Sequence, residues 1–202
     1  MYKNIIFDWS GVVNDNISPM HQTISAMFKH FGAKSISLGE FRDQWSQPYM
    51  SFYNKYIPDI SLEEEKAFFI KHISQFPPTP YPGICQLITD LKQNNKNLFV
   101  ISSDNQEVLL SQIEKFGLTN IFDEIYCDIY DKNLGHKNLI ENNQLNKSET
   151  VTIGDTTYEI SCGNELGIST IGVTWGIHQK QKLLTEKPTH IVDSIFELRD
   201  LL

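Results

Sequence analysis

The sequence lacks several features that would assign it to a membrane, secreted or nucleic-acid-binding class. No apolar run approaches the roughly 20 residues of a membrane span, and the first 13 residues do not resemble a secretory leader. The three cysteines, Cys85, Cys127 and Cys162, have no C-x-x-C spacing, which argues against a disulfide framework or a zinc site. A net charge of −8 argues against general affinity for nucleic acid or anionic membranes. We therefore expect a cytoplasmic protein without nucleic-acid or membrane partners, and its oligomeric state stays open.

The residues that are present favour an α/β fold. With 202 residues and a hydrophobic fraction of 40%, the chain suits one core that carries a smaller insertion. Continuous apolar runs alternate with helical patterns in the second half, as in a sheet of parallel strands buried on both faces. The predicted strands are 97–102, 125–127, 150–153, 169–173 and 190–192, and the predicted helices are 83–92, 106–116, 137–143, 158–166 and 195–202. This alternation predicts a Rossmann-like, doubly wound parallel sheet.

Residues 17–80 interrupt this alternation. Their apolar residues, such as Met20, Ile24 and Phe28, recur at helical spacing, and no strong strand lies between them. A proline-rich stretch at 77–82 ends the segment. We therefore predict an inserted helical unit at 17–80, called the cap below, and a core made of residues 1–16 and 81–202.

Polar clusters lie at or just after the predicted strand ends and at one helix start. Because the carboxyl ends of parallel strands share one edge of the sheet, these clusters should converge. They supply two carboxylates for a divalent cation such as Mg²⁺, and a hydroxyl and an ammonium for anionic oxygens. Such a set suits phosphoryl transfer, in which positioning and charge neutralisation do most of the work. The clusters are Asp8 with Ser10 and Gly11, Ser102 with Ser103, Lys137, and Gly154-Asp155 with Glu159.

These clusters, in this order, resemble the motifs of the haloacid dehalogenase superfamily, in particular its phosphoglycolate-phosphatase-like branch with a helical cap. Residues 5–12 are similar to the first motif, Ser102 to the second, Lys137 to the third, and Gly154-Asp155 with Glu159 to the fourth. Each motif is weak alone, but four in order over nearly the whole chain are specific. Lys132 is a competing choice for the third motif, and the string at 135–140 favours Lys137.

The resemblance implies a Mg²⁺-dependent hydrolase that acts on a small phosphorylated metabolite. Asp8 would attack phosphorus and form an aspartyl-phosphate. Glu159 stands where the family usually has aspartate, and it would reach the metal directly, through water, or position the lysine. The implied metal site consists of Asp8, the Ser10 carbonyl, Asp155 and Glu159, and the implied phosphate-binding residues are Gly11, Ser102, Ser103 and Lys137.

Ser10 departs from the family pattern, which has an aspartate there as general acid and base. A serine hydroxyl performs neither role well at neutral pH, and such catalysis is typically worth about 10²–10⁴-fold. One interpretation is a phosphatase whose proton shuttle comes from elsewhere, or whose substrate has a good leaving group. Asp15, His21, Asp104 and His136 are the substitutes that we consider.

Two further interpretations stay open on the sequence. A phosphonatase-like carbon–phosphorus hydrolase has a small residue at this position but needs a cap lysine, for which Lys55 is the best-placed residue. A slow or silent domain would bind phosphorylated ligands or a partner. A haloalkanoate dehalogenase is disfavoured because its chemistry needs no metal. The cap also carries aromatic residues that either pack the helices or line a substrate pocket, namely Trp45, Tyr49, Phe52, Tyr53 and Tyr56.

Overall fold

Six parallel strands form one sheet in the computed structural model, which describes residues 2–202. Their order across the sheet is β3-β2-β1-β4-β5-β6, so β1 lies in the middle and pairs with both β2 and β4. Phe7 at the end of β1 faces Val100 on one side and Ile153 on the other. The strands are β1 Asn4–Phe7, β2 Asn97–Ile101, β3 Glu124–Tyr126, β4 Thr150–Gly154, β5 Ser169–Val173 and β6 His190–Val192.

This topology confirms the predicted Rossmann-like α/β fold. The chain runs from β1 outward to β3, then returns to β4 beside β1 and continues to the other edge. In open α/β sheets, ligands bind where the strand order reverses, here between β1 and β4. The core helices are α5 Ile84–Gln93, α6 Gln106–Lys115, α7 Lys132–Asn142, α8 Thr157–Leu166, α9 Lys180–Leu184 and α10 Ile195–Leu201, with a 3₁₀ turn at Lys147–Glu149.

Four helices lie between β1 and α5: α1 Ile17–His30, α2 Leu38–Gln44, α3 Met50–Tyr56 and α4 Leu62–Ile73. They share a hydrophobic cluster that is separate from the one beneath the sheet. The two chain crossings lie side by side, because Asp15 N donates to Thr79 O at 2.8 Å and Tyr81 N donates to Val13 O at 3.0 Å. The limits of the cap at 17–80 stay a prediction.

The helix predicted at 137–143 begins five residues earlier, at Lys132. Asp131 supplies the start signal, because its side chain accepts a hydrogen bond from Leu134 N at 3.1 Å. Lys132 therefore stands in the first turn, where the helix meets the sheet edge, and Lys137 lies more than one turn farther along. No helix within residues 2–202 has the length and apolarity to cross a membrane.

Candidate active site

Asp8, Ser102 and Asp155 directly follow the three central strands. Each side chain is buried, with exposed fractions of 6%, 1% and 1%. The Asp8 backbone extends β1, since its N–H donates to Ile153 O at 3.0 Å. The predicted convergence of strand ends thus brings these three residues to one place, at the point where the strand order reverses.

The Asp8 carboxylate is held from two sides. Its Oδ1 atom accepts a hydrogen bond from Trp9 N at 2.8 Å and lies 2.9 Å from Lys132 Nζ. Burial and, to a smaller extent, the Glu159 carboxylate raise the pKa of Asp8 to about 7, although Lys132 and the Trp9 N–H oppose them. Lys132 is therefore the group that favours the ionised, nucleophilic form of Asp8.

The structure corrects the predicted lysine. Lys132 is 1% exposed and bridges Asp8 to Glu159, with a 2.6 Å separation between Lys132 Nζ and Glu159 Oε1. Lys137 is on the solvent side of α7, where its side chain is 56% exposed and lies 4.0 Å from Glu141. The physical reason is the earlier start of α7, which turns Lys137 away from the sheet edge. The two carboxylates hold the pKa of Lys132 above its usual range although burial alone would lower it.

Glu159 uses both carboxylate oxygens within the protein. Oε1 binds Lys132, and Oε2 accepts hydrogen bonds from Thr156 N, at 3.1 Å, and from the Thr156 hydroxyl. The contact from Thr156 N is one half of a capping box at the start of α8, and the other half is the hydrogen bond from the Glu159 backbone N–H to the Thr156 hydroxyl. Burial raises the pKa of Glu159, but Lys132 and these hydrogen bonds outweigh burial and keep it below the usual value. Of the roles weighed for Glu159, this geometry favours positioning the lysine.

The carboxylates fit a divalent cation. One oxygen from each of Asp8, Asp155 and Glu159 lies within 4.8 Å of the others, and the Lys132 ammonium contacts two of the three carboxylates, those of Asp8 and Glu159. Asp155 Oδ2 accepts from Ile177 N at 2.7 Å, but the buried Oδ1 has no hydrogen-bond partner within residues 2–202. Burial, Asp8 and Glu159 raise the pKa of Asp155 well above its usual value. A hard cation bound by oxygen ligands would relieve this repulsion and give Asp155 Oδ1 a partner.

Gly11 has a different role from the predicted one. Its N–H donates to Asn14 O at 2.9 Å, so the amide is already used within the turn and is not free for phosphate. Its φ is +83°, and a Cβ there would lie 2.1 Å from Asp155 Oδ2. A Cβ on Gly176 would likewise lie 2.1 Å from Asp155 Cβ. Glycine at these two positions leaves room for the Asp155 side chain.

Ser10 and Ser102 share one carboxylate. The Ser10 hydroxyl donates to Asp104 Oδ2 at 2.6 Å, and the Ser102 hydroxyl donates to the same oxygen at 3.0 Å. Asn16 Nδ2 donates to Ser10 Oγ at 2.8 Å, and so fixes the hydroxyl from the opposite side. Asp104 is thus joined to the position where the family has its acid and base. By contrast, the Ser103 hydroxyl donates to Ile129 O at 2.8 Å and is tied to the backbone.

The other residues considered as proton shuttles lie elsewhere. His136 is buried behind the site, with ring nitrogens 2.7 Å from Lys132 O and 2.9 Å from Thr152 Oγ1, and burial lowers its pKa to about 4. His21 binds Ile36 O within the cap, and Asp15 is exposed. Asp104 is therefore the one substitute of the four that contacts Ser10.

A cavity of about 950 Å³, counted with its open mouth, lies between the strand ends and the cap helices. Trp45, Tyr49 and Tyr53 line this cavity, whereas Phe52 packs in the core of the cap. The aromatic cluster thus both packs the cap helices and lines the cavity. Sequence reasoning missed Glu65, which is 3% exposed and lines the same cavity. Its signal was its spacing, because it falls on the apolar face of α4 that carries Phe69 and Ile73.

The comparisons with known proteins agree with this fold. The model of the haloacid dehalogenase-like hydrolase family matches residues 5–173. A phosphoglycolate phosphatase from Synechococcus elongatus is 20% identical over 205 residues, covering 96% of this chain and 94% of that protein. The probable phosphatase IndB from Dickeya dadantii is 29% identical over 144 residues, covering 68% of this chain and 63% of that protein.

A solved structure shows the same fold at low identity. The crystal structure of a predicted phosphatase from Clostridium acetobutylicum aligns with a TM-score of 0.87 and 20% identity, covering 100% of this chain and 98% of that chain. The predicted family resemblance is thereby confirmed. The chain belongs to the haloacid dehalogenase-like hydrolases, and hydrolysis is its class of reaction.

Proposed function

We propose that this protein is a Mg²⁺-dependent phosphatase that hydrolyses a small phosphorylated metabolite through an aspartyl-phosphate on Asp8. The observation that carries this proposal is the buried cluster of Asp8, Lys132, Asp155 and Glu159 where the strand order reverses. Asp8, Asp155 and the Ser10 carbonyl would hold the cation, while Glu159 positions Lys132. Mg²⁺ bound there supplies positive charge to the phosphoryl oxygens.

The protein side chains divide the first step between them. Asp8 Oδ1 is occupied by Trp9 N and Lys132, which leaves Oδ2 as the attacking oxygen. A bond forms between Asp8 Oδ2 and phosphorus while the bond from phosphorus to the leaving oxygen breaks. Two N–H groups of the Lys132 ammonium point to Asp8 and Glu159, and its third N–H group is available to a phosphoryl oxygen. Ser102 follows β2, the strand that pairs with β1, and its hydroxyl donates to Asp104 Oδ2 at 3.0 Å.

The proton path runs through Ser10 to Asp104. In the hydrolysis step, water forms a bond to phosphorus and the bond to Asp8 breaks. The proton of the attacking water passes to Ser10 Oγ as the hydroxyl proton of Ser10 passes to Asp104 Oδ2, which lies 2.6 Å away. In the transfer step, Asp104 in its protonated form gives its proton to Ser10 Oγ as the hydroxyl proton of Ser10 passes to the leaving oxygen, and the hydrolysis step then returns the proton to Asp104. Asp104 thus acts through Ser10 and restores the function that the missing aspartate has in the family.

The alternatives have less support from the geometry. The ammonium of Lys55 contacts Gln44 and lies 5.6 Å from the centroid of the Tyr56 ring, so it is engaged within the cap. A silent domain would not require Lys132 to hold Asp8 ionised, nor a chain of hydrogen bonds from Ser10 to a carboxylate. The phosphatase proposal uses both features.

The test is turnover of p-nitrophenyl phosphate and of an alkyl phosphate, with Mg²⁺ and with chelator, by the parent and by Asp8→Asn. The isosteric amide keeps the shape of the site but removes the nucleophile. We expect turnover that needs Mg²⁺ and that falls to background in the variant. Equal rates in the parent and Asp8→Asn would rule out the proposed nucleophile, and no turnover of either ester would favour the silent domain.

A further inference from the structure

Glu65 is a buried carboxyl without a cationic partner. It lies in α4, it is 3% exposed, and it lines the cavity opposite the strand ends. Within residues 2–202, no lysine, arginine or histidine forms an ion pair with it. Its neighbour is the Tyr53 hydroxyl, which has no hydrogen bond of ordinary geometry. A carboxyl in this position is costly to bury unless a partner satisfies it.

The wall around Glu65 combines aromatic faces with unsatisfied polar atoms. Trp45, Tyr49 and Tyr53 line the cavity beside it, and Tyr49 is held edge-on by Tyr130, with 5.4 Å between ring centroids. The buried Trp45 Nε1, Gln47 Oε1 and Tyr53 hydroxyl atoms have no partner among the described residues. Each unsatisfied buried polar atom destabilises the folded protein. This wall is therefore suited to a polar ligand group.

The charge of the wall selects the sign of that group. Asp104 and Asp128 line the cavity together with Glu65, and Lys66 is the one basic residue that the cap contributes to this lining. Lys66 lies 3.7 Å from Asp128, and its charge offsets that of Glu65 only in part, since burial still raises the pKa of Glu65. An anionic leaving group would meet repulsion here, whereas an ammonium would meet a carboxylate and the faces of aromatic rings.

We infer that the cap wall formed by Trp45, Tyr49, Tyr53 and Glu65 binds a cationic leaving group, so that the substrate is a phosphate monoester of a small amino alcohol. This inference rests on the proposed function, because the ester must place its phosphate at Asp8. Burial raises the pKa of Glu65 to about 7, as expected for a carboxyl whose cation comes from a ligand. A bound ammonium would lower that pKa again.

The experiment compares three esters of similar size at pH 8, where Glu65 is ionised. They are 2-aminoethyl, n-propyl and 2-carboxyethyl phosphate, assayed with the parent, Glu65→Gln and Glu63→Gln. Glu63 lies on the same helix but is exposed, so its variant is the matched control for a lost charge. We expect the parent to favour the aminoethyl over the propyl ester at least about tenfold in kcat/KM. That ratio should approach one in Glu65→Gln and stay unchanged in Glu63→Gln.

Binding to the inactive Asp8→Asn protein separates this inference from the proposed function. Calorimetric titration of the three esters with Mg²⁺ gives the ratio of their dissociation constants without any turnover. Tighter binding of the aminoethyl ester, lost when Glu65→Gln is added, supports the inference even if the parent hydrolyses nothing. Equal affinities for the aminoethyl and propyl esters, or tighter binding of the carboxyethyl ester, would overturn it.

Discussion

Replacing Lys132 by methionine tests the ion-pair arrangement on which the active site depends. The change keeps the length of the side chain but removes the charge between Asp8 and Glu159, whose oxygens lie 2.9 and 2.6 Å from Nζ. Breaking a buried ion pair in this way costs about 3–5 kcal/mol, because the remaining charges are left uncompensated. We therefore expect Lys132→Met to lose about this much of the free energy of unfolding at pH 8 in chelator.

The matched control is Lys137→Met on the same helix. Lys137 is 56% exposed and lies 4.0 Å from Glu141, and surface pairs of this kind contribute at most about 0.5 kcal/mol. Urea unfolding followed by tryptophan fluorescence measures both variants, and equal m-values show that the same two states are compared. Phosphatase turnover should be lost in Lys132→Met and retained in Lys137→Met.

The pH dependence of stability checks whether uncompensated carboxylate charge is what destabilises Lys132→Met. Without Lys132, the pKa of each carboxyl rises in the folded state above its unfolded value. Stability is then fully present at low pH and is lost as pH rises through the folded pKa. The deficit of Lys132→Met should therefore shrink between pH 8 and pH 5. The reasoning is refuted if the deficit is the same at both values, or if Lys137→Met is the variant that loses stability and activity.

Three other predictions follow from the proton path and from the cap. Asp104→Asn should slow hydrolysis of an alkyl phosphate by about 100-fold or more but that of p-nitrophenyl phosphate much less; equal slowing of both esters would exclude the relay. Ser10→Asp should raise alkyl-phosphate turnover, because a carboxyl at position 10 transfers the proton directly; a rate no faster than that of the parent, with Mg²⁺ still bound, would show that the indirect path through Asp104 does not limit the parent. Glu65→Gln should be more stable than the parent by up to about 3 kcal/mol at pH 8 and similarly stable at pH 4. The reason is the raised pKa of about 7 for Glu65 in the folded protein, because of which the parent loses stability as pH rises from 4.5 through 7. If the stabilities of the parent and Glu65→Gln change in parallel over that range in thermal or urea unfolding, Glu65 has a partner that stabilises its ionised form.

The sheet and its reactive edge could be predicted because their signals are local. Apolar runs such as 97–101 identify buried parallel strands, and a polar residue directly after such a run must lie at the carboxyl edge. Asp8, Ser102 and Asp155 follow from this rule alone. The rule needs no knowledge of which strands are neighbours, since all carboxyl ends of a parallel sheet lie on one side.

Side chains that reach the site from helices and turns could not be placed in this way. Whether Lys132 or Lys137 faces the sheet depends on where α7 begins, and helix ends are read from single residues such as Asp131. The contact between Ser10 and Asp104 joins residues 94 positions apart, and no periodicity encodes it. Glu65 was readable as an acid on an apolar helix face, but its cavity appears only once the cap packs over the core.

The central claim is that Asp8 becomes covalently phosphorylated during turnover. The most direct measurement is rapid acid quenching of the parent during hydrolysis of p-nitrophenyl phosphate with Mg²⁺, followed by peptide mass spectrometry. The account predicts one added phosphoryl group on the peptide that contains Asp8, absent in chelator and absent in Asp8→Asn. Turnover by the parent with that peptide unmodified, or undiminished turnover by Asp8→Asn, would contradict it.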